Sequence, residues 1–169
     1  MNQIGNEFVD LVFERKQSDS SFRAIMKSAA VPSLEWKAWA VINRFVKNLD
    51  DTIEREAYAL VGSSIAKSHF VSNGVNGIGK AIRIASKETD DKNGFPPRLL
   101  RLLSANSSEE LIDIMRPLLS FLDSKGIALD YKKILEDILQ FRYGEDARMK
   151  VKSRWASDYF SKGEDNVSK

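Results

Sequence analysis

A glycine-rich stretch at residues 74–81, with the sequence GVNGIGKA, is the pattern in this chain closest to a catalytic motif. Its spacing matches a phosphate-binding P-loop, in which backbone N–H groups cradle phosphates and a final Ser or Thr hydroxyl holds Mg²⁺. Here the final residue is Ala81, and the preceding segment 67–72 lacks the pattern of a buried parallel strand. No later apolar run ends in an acid that could complete the site. We therefore favour a flexible loop that enters a helix over nucleotide hydrolysis.

Acidic clusters and the single histidine, His69, are the other candidates for acid–base or metal chemistry. The clusters at 50–51, 88–91 and 136–137 could bind Mg²⁺ or transfer protons. Their positions favour helix-capping or solvated roles, because the first lies where a helix cap is needed, the second in a loop and the third on a helix beside its buried face. The absence of cysteine excludes thiolate catalysis and sulfur-ligated metals. We predict no enzymatic activity, no metal and no cofactor.

Basic residues recur at helical spacing, and they are the residues best suited to bind a ligand. Lysines and arginines three or four residues apart lie on one face of a helix, and such a face suits phosphates spaced along a strand. These groups occur at 80–87, 98–101 and 142–154. The net charge is only +2, from 26 basic and 24 acidic residues, so the signal lies in the pattern and not in the overall charge. From spacing alone, a solvated charged face is the simpler explanation.

Apolar spacing predicts the elements that position these residues, and it indicates an all-α fold, a compact bundle of about eight helices. The clearest helix spans 107–126, with a capping-box pattern at Ser107 and Glu110, a terminating Gly126, and a kink expected at Pro117. Other predicted helices span 6–17, 20–29, 33–48, 51–70, 130–144 and 145–160, with a short one after Pro96.

The length of 169 residues and the apolar fraction of 43% allow one domain or two small helical halves. If there are two, we expect them at 1–95 and 96–160, followed by a polar tail at 161–169 that frays. No apolar run is long enough to cross a membrane and no secretion signal is visible, so we expect a cytoplasmic protein. We assign Trp36, Trp39 and Trp155 to the core or to a subunit interface.

Three segments, DSSFRAIMK at 19–27, GIGKAI at 77–82 and RLLRLL at 98–103, occur in the order typical of one known family. Further matching segments lie at 108–111, 116–118, 125–126, 129–131 and 152–160. From about residue 8 to residue 160 the chain thus resembles the CasB family, the small subunit of the type I-E CRISPR Cascade complex. It has Ser21 where the family often has Gly, and Lys27 and Lys80 where the family often has Arg.

The resemblance implies an all-helical subunit without a catalytic site, which assembles, usually as two copies, with backbone and large subunits of a crRNA-guided complex. In such a complex base pairing reads the sequence, while protein holds the backbone of the target DNA and the displaced single strand. The nucleic-acid-binding residues we predict are first Arg98, Arg101, Lys150, Lys152 and Arg154, then Lys80, Arg83, Arg23 and Lys27, and last Arg142, Arg148 and Lys87.

A helical adaptor is the alternative function. Its basic stripes would meet acidic protein partners or solvent, and nucleic-acid binding would be incidental. The salt dependence of DNA binding separates the two hypotheses, because only phosphate contacts release the counterions of a nucleic acid.

Overall fold

Helices form nearly all of the regular structure in the computed structural model, which describes residues 2–86 and 94–161. The helices are α1 (Gln3–Ser18), α2 (Ser20–Ser28), a 3₁₀ helix (Pro32–Ala38), α3 (Trp39–Ile42), α4 (Thr52–Lys67), α5 (Ile78–Ser86), α6 (Pro97–Leu103), α7 (Ser108–Ser124), α8 (Tyr131–Phe141) and α9 (Glu145–Phe160). Across these two ranges there is no strand longer than one isolated bridge. The predicted all-α class is confirmed.

Side-chain caps explain where several helices begin. Ser107 accepts a hydrogen bond from the Glu110 N–H at 3.1 Å, as the capping pattern predicted, and the Glu110 carboxylate accepts one from the Asn106 N–H. Asp51, where a cap was predicted, and Asp130 accept hydrogen bonds from the N–H groups of Glu54 and Lys133. These carboxylates satisfy N–H groups that have no partner inside the helix.

The region 33–48, predicted to be one helix, is instead a 3₁₀ helix followed by the single turn α3 and a series of turns. Contacts from α4 explain the difference. The Glu54 carboxylate accepts a hydrogen bond from the Lys47 N–H, and the Arg55 guanidinium donates to the Leu49 carbonyl at 2.6 Å. These bonds hold the backbone after α3 in turns, so the helix prediction for this part was wrong.

Helix α4 lies at the centre of the molecule and packs against α1, α2, α7 and α8. Residues Ala57, Tyr58, Leu60, Val61 and Ile65 are buried, which places apolar side chains on several of its faces. The buried apolar residues of the described chain form one connected cluster, with members from both sides of residue 95. The division into two halves stays a prediction.

None of the helices in the described ranges combines the length and the apolar composition that a membrane span requires.

The tryptophans lie in two environments. Trp155 is fully buried and stacks on Phe141, with the rings 6.2 Å apart and 16° from parallel. Trp36 and Trp39 are 58% and 38% exposed, so they lie outside the core. For these two, the subunit interface stays a prediction.

The glycines of the stretch at 74–81 allow backbones to approach each other closely. The Gly74 N–H donates to the Leu129 carbonyl at 2.9 Å, and a Cβ on Gly74 would lie 2.3 Å from the Ala128 carbonyl oxygen. A Cβ on Gly79 would lie 2.1 Å from the Trp155 carbonyl oxygen. The stretch leads into α5, as predicted, and its glycines serve the contacts with the segment before α8 and with α9.

Candidate nucleic-acid interface

The two arginines of α6 project from a short helix whose opposite face is buried. Pro97 occupies the first turn, where its missing N–H costs no hydrogen bond, and Leu99 and Leu102 are fully buried. Arg98 and Arg101, one turn apart, are exposed. Among residues 2–86 and 94–161, no carboxylate pairs with either guanidinium. Both cations are therefore exposed without an acidic partner from the described chain.

Arg98 lies against an aromatic ring of α7. Its guanidinium carbon is 3.5 Å from the centre of the Phe121 ring, and the Lys125 ammonium is 5.6 Å from the same centre. Ile114, Pro117 and Leu118 line a groove beside these arginines. The sequence patterns did not identify Phe121 or Lys125 as site residues. The available signal was the continuation of the α7 apolar spacing to Phe121 and a basic residue one turn later.

Arg154 of α9 has a different environment. Its guanidinium donates to an oxygen of the Asp137 carboxylate at 2.6 Å and to the Gln140 side chain at 2.7 Å. The indole N–H of Trp155 donates to the other Asp137 oxygen at 2.9 Å. Burial raises the pKa of Asp137, while the hydrogen bonds from Trp155 and Arg154 act to lower it. Arg154 thus neutralises a buried carboxylate of its own chain.

The environment of Asp137 corrects one prediction about the acidic clusters. We expected the pair 136–137 to be solvated, but Asp137 is buried, because it faces α9 and accepts hydrogen bonds from that helix. The cap role predicted for Asp51 is confirmed, and the cluster at 88–91 lies outside the described residues. In the described ranges, no three acidic or histidine side chains are grouped as metal ligands.

Three other predicted residues also bind groups of the chain itself. Arg142 forms an ion pair with Asp51 at 2.7 Å, and this contact raises the pKa of Arg142. The Arg23 guanidinium donates to the Ala66 carbonyl at 3.0 Å, near the end of α4. Arg83 donates to the backbone carbonyl of Ser161. These contacts contribute to the packing of the helices.

The remaining predicted cations differ in exposure. Lys27 and Lys150 are exposed, and Lys80, Arg148 and Lys152 are partly exposed. None of these five has an ion pair with another residue of the described ranges. Lys87 lies outside those ranges.

Helix packing brings some of these groups together. Helix α5 packs closely on α9, and the Phe95 and Phe160 rings, 5.0 Å apart, join the segment before α6 to the end of α9. Basic residues of α5, α6 and α9 are thus carried by neighbouring elements. The α2 candidates, Arg23 and Lys27, lie on a helix that packs mainly on α4 and the 3₁₀ helix.

Comparisons with known proteins identify the family. The family model for "CRISPR-associated protein Cse2" matches residues 20–160. A chain from a structure titled "CRISPR RNA-guided surveillance complex" is 18% identical, with a TM-score of 0.68 over 94% of this chain and 91% of that chain. CasB from Thermus thermophilus is 24% identical, with a TM-score of 0.66 over 92% of this chain and 97% of that chain.

At these identities the two structures establish a shared fold. No curated protein sequence gives a significant match. The family model covers most of the chain and agrees with the resemblance found in its motifs. The chain therefore belongs to the family of CRISPR-associated protein Cse2.

Proposed function

We propose that this protein is a non-catalytic small subunit of a crRNA-guided type I-E Cascade complex. It binds nucleic-acid backbone, and so stabilises pairing with the target strand and holds the displaced strand in antiviral defence. Family membership supports the complex, as does the fold shared with a chain of an RNA-guided surveillance complex. The backbone and large subunits and a second copy of this chain are the proposed protein partners.

The two exposed arginines of α6 are the observation that carries this proposal. Residues three apart on a helix have Cβ atoms about 5–6 Å apart, so Arg98 and Arg101 can reach one strand backbone together. A phosphate that binds them need not displace a carboxylate of the described chain. Each such contact releases counterions and adds affinity that falls with salt.

The roles of the acidic residues support a subunit without catalysis. Asp51 and Asp130 cap helices, and Asp137 binds Arg154 and Trp155. A general acid or base must instead lie within reach of a substrate. These carboxylates contribute to the fold.

A protein adaptor is the second candidate, and the exposed Trp36 favours it. Large aromatic side chains are enriched at protein interfaces, and Trp36 is 58% exposed. In the adaptor function the exposed surface binds protein partners, whereas in the first proposal it must bind phosphates.

The decisive experiment compares two double variants in the reconstituted complex. Arg98→Gln with Arg101→Gln removes the α6 cations, and Arg44→Gln with Lys47→Gln removes two exposed cations, also three apart, that lie outside the predicted site. Affinity for target DNA is measured over a range of salt concentrations. The α6 variant should lower the slope of log affinity against log salt by about 1.4, at about 0.7 for each single-strand phosphate.

The control variant should keep the slope of the unmodified complex. An unchanged slope in the α6 variant would refute the phosphate contacts. If the α6 variant instead fails to join the complex, the adaptor function is supported.

A further inference from the structure

We propose that the groove between α6 and α7 binds one unpaired nucleobase, with the base stacked on the Arg98 guanidinium, which itself lies on the Phe121 ring. The inference rests on the proposed function and adds to it, because it assigns a contact to a base and not only to phosphates. The juxtaposition of a planar cation, an aromatic ring and an apolar wall in one exposed groove points to this ligand.

The floor of the groove is apolar. Ile114 and Leu118 are almost fully buried, and Pro117 is exposed. All three belong to α7, where Pro117 comes three residues after Ile114 and directly before Leu118. The groove has a volume of about 180 Å³. Pockets for drug-sized ligands begin at about 300 Å³, so this groove suits a single flat ring system.

The side chains at its rim match the chemistry of a nucleotide. A guanidinium plane and an aromatic ring are the two surfaces on which proteins stack unpaired bases. Here the Phe121 ring supports the Arg98 guanidinium from one side, with 3.5 Å between the guanidinium carbon and the ring centre. Arg98 is exposed, so a base can stack on the other side of its guanidinium. Arg101 also lines the groove, where it can bind a phosphate of the same nucleotide or of its neighbour.

Charge favours a polyanion as the occupant of this groove. Lys125 approaches the Phe121 ring from α7 at 5.6 Å, which adds a third cation to Arg98 and Arg101. No carboxylate lines the groove among the described residues. A single strand supplies what these groups can bind, because its bases are free to stack and its phosphates are regularly spaced.

The test uses the full chain and two single-stranded DNA oligonucleotides of equal length. One carries bases and the other consists of abasic nucleotides, so both present the same phosphates. The chain should bind the base-containing strand at least about fivefold more tightly, the lower limit expected for one stacked base.

Three variants locate the preference. Arg98→Lys keeps the charge but removes the guanidinium plane, and Phe121→Leu keeps an apolar side chain but removes the ring. Both should reduce the preference for bases to near unity. Arg44→Lys is the matched control, since it makes the same exchange at an exposed arginine outside the groove, and it should keep the preference.

Equal binding of the two strands by the unmodified chain would overturn the base site and leave phosphate binding intact. A preference that survives in Arg98→Lys would place the stacking elsewhere and also overturn the proposal. If neither strand binds the chain, the base site is overturned, and the salt slope of the reconstituted complex decides the proposed function separately. If the variants bind both strands normally but no longer join the complex, the groove is a protein contact.

Discussion

The arginines of α6 and Arg154 of α9 each lie about one helical turn from another cation, but their environments in the structure differ. Arg98 and Arg101 are exposed, with no carboxylate beside them in the described chain. Arg154 lies one turn from Lys150 but binds the buried Asp137. The difference arises from the neighbouring helix: α7 presents Phe121 to α6, and α8 presents a carboxylate to α9. Helical spacing identifies a face, whereas the facing side chains determine whether its charges are available.

The largest expected effect concerns the carboxylate that binds Arg154. Asp137→Ala leaves the buried Trp155 N–H without its acceptor and Arg154 without its counter-ion. We expect the free energy of unfolding to fall by about 3 kcal/mol. Urea denaturation measures the change. Asp113→Ala removes an exposed carboxylate of α7 and should change the same quantity by less than about 0.5 kcal/mol.

A loss in Asp137→Ala no larger than that of the control would show that the contacts of Asp137 with Arg154 and Trp155 contribute little. The two arginine environments would then be equivalent energetically.

The second prediction compares Arg154 and Arg98 in two measurements, stability and DNA binding. Arg154→Gln should lower the free energy of unfolding by about 1–2 kcal/mol, because Asp137 keeps only the bond from Trp155. Arg98→Gln should change it by less than about 0.5 kcal/mol. In affinity for single-stranded DNA we expect the opposite order, with the greater loss in Arg98→Gln. Urea denaturation of both variants measures the loss of stability, and a binding titration measures the loss of affinity for DNA. If one variant shows the greater loss in both measurements, the comparison is contradicted.

The smallest effect is expected at the partly exposed pair of Arg142 and Asp51. Burial raises the pKa of Asp51, but hydrogen bonds from Arg142 and from the Glu54 N–H outweigh it and lower the pKa. A lowered pKa stabilises the fold above the unfolded value of about 3.9, and this stabilisation is lost as pH falls through the folded pKa. Asp51→Ala should therefore cost about 1 kcal/mol near neutral pH, and the difference should shrink on acidification.

Urea denaturation at several pH values measures this difference. Asp51→Asn is the control, because it keeps a side-chain cap and loses only the ion pair, which is worth at most about 1 kcal/mol. A cost for Asp51→Ala that stays constant with pH would contradict the lowered pKa.

The sequence was sufficient for the helices whose signals are local. Ser107 and Asp130 precede clear apolar stripes, and α7 and α8 begin directly after them. Helix α9 spans the predicted residues 145–160. The region 33–48 could not be predicted in the same way, because its turns depend on bonds from Glu54 and Arg55. These partners lie outside the predicted helix, on α4, and bind the region only once α4 has packed against it.

The candidate site was predictable only as a set of charges. Spacing identified Arg98 and Arg101 because a buried stripe on the opposite side of α6 fixes their direction. Spacing could not show that Phe121 lies under Arg98, since this contact depends on how α6 packs against α7. It also could not show that Arg154 meets Asp137, because the carboxylate comes from α8.

The separation of the tryptophans into one core ring and two surface rings gives this protein distinct intrinsic fluorophores. Trp155, stacked on Phe141 and shielded from water, should report loss of the core during denaturation. Trp36 and Trp39, which are open to solvent, should report the arrival of a partner at the surface around the 3₁₀ helix. A chain with phenylalanine at positions 36 and 39 thus isolates the unfolding signal, and a chain with phenylalanine at 155 isolates the assembly signal.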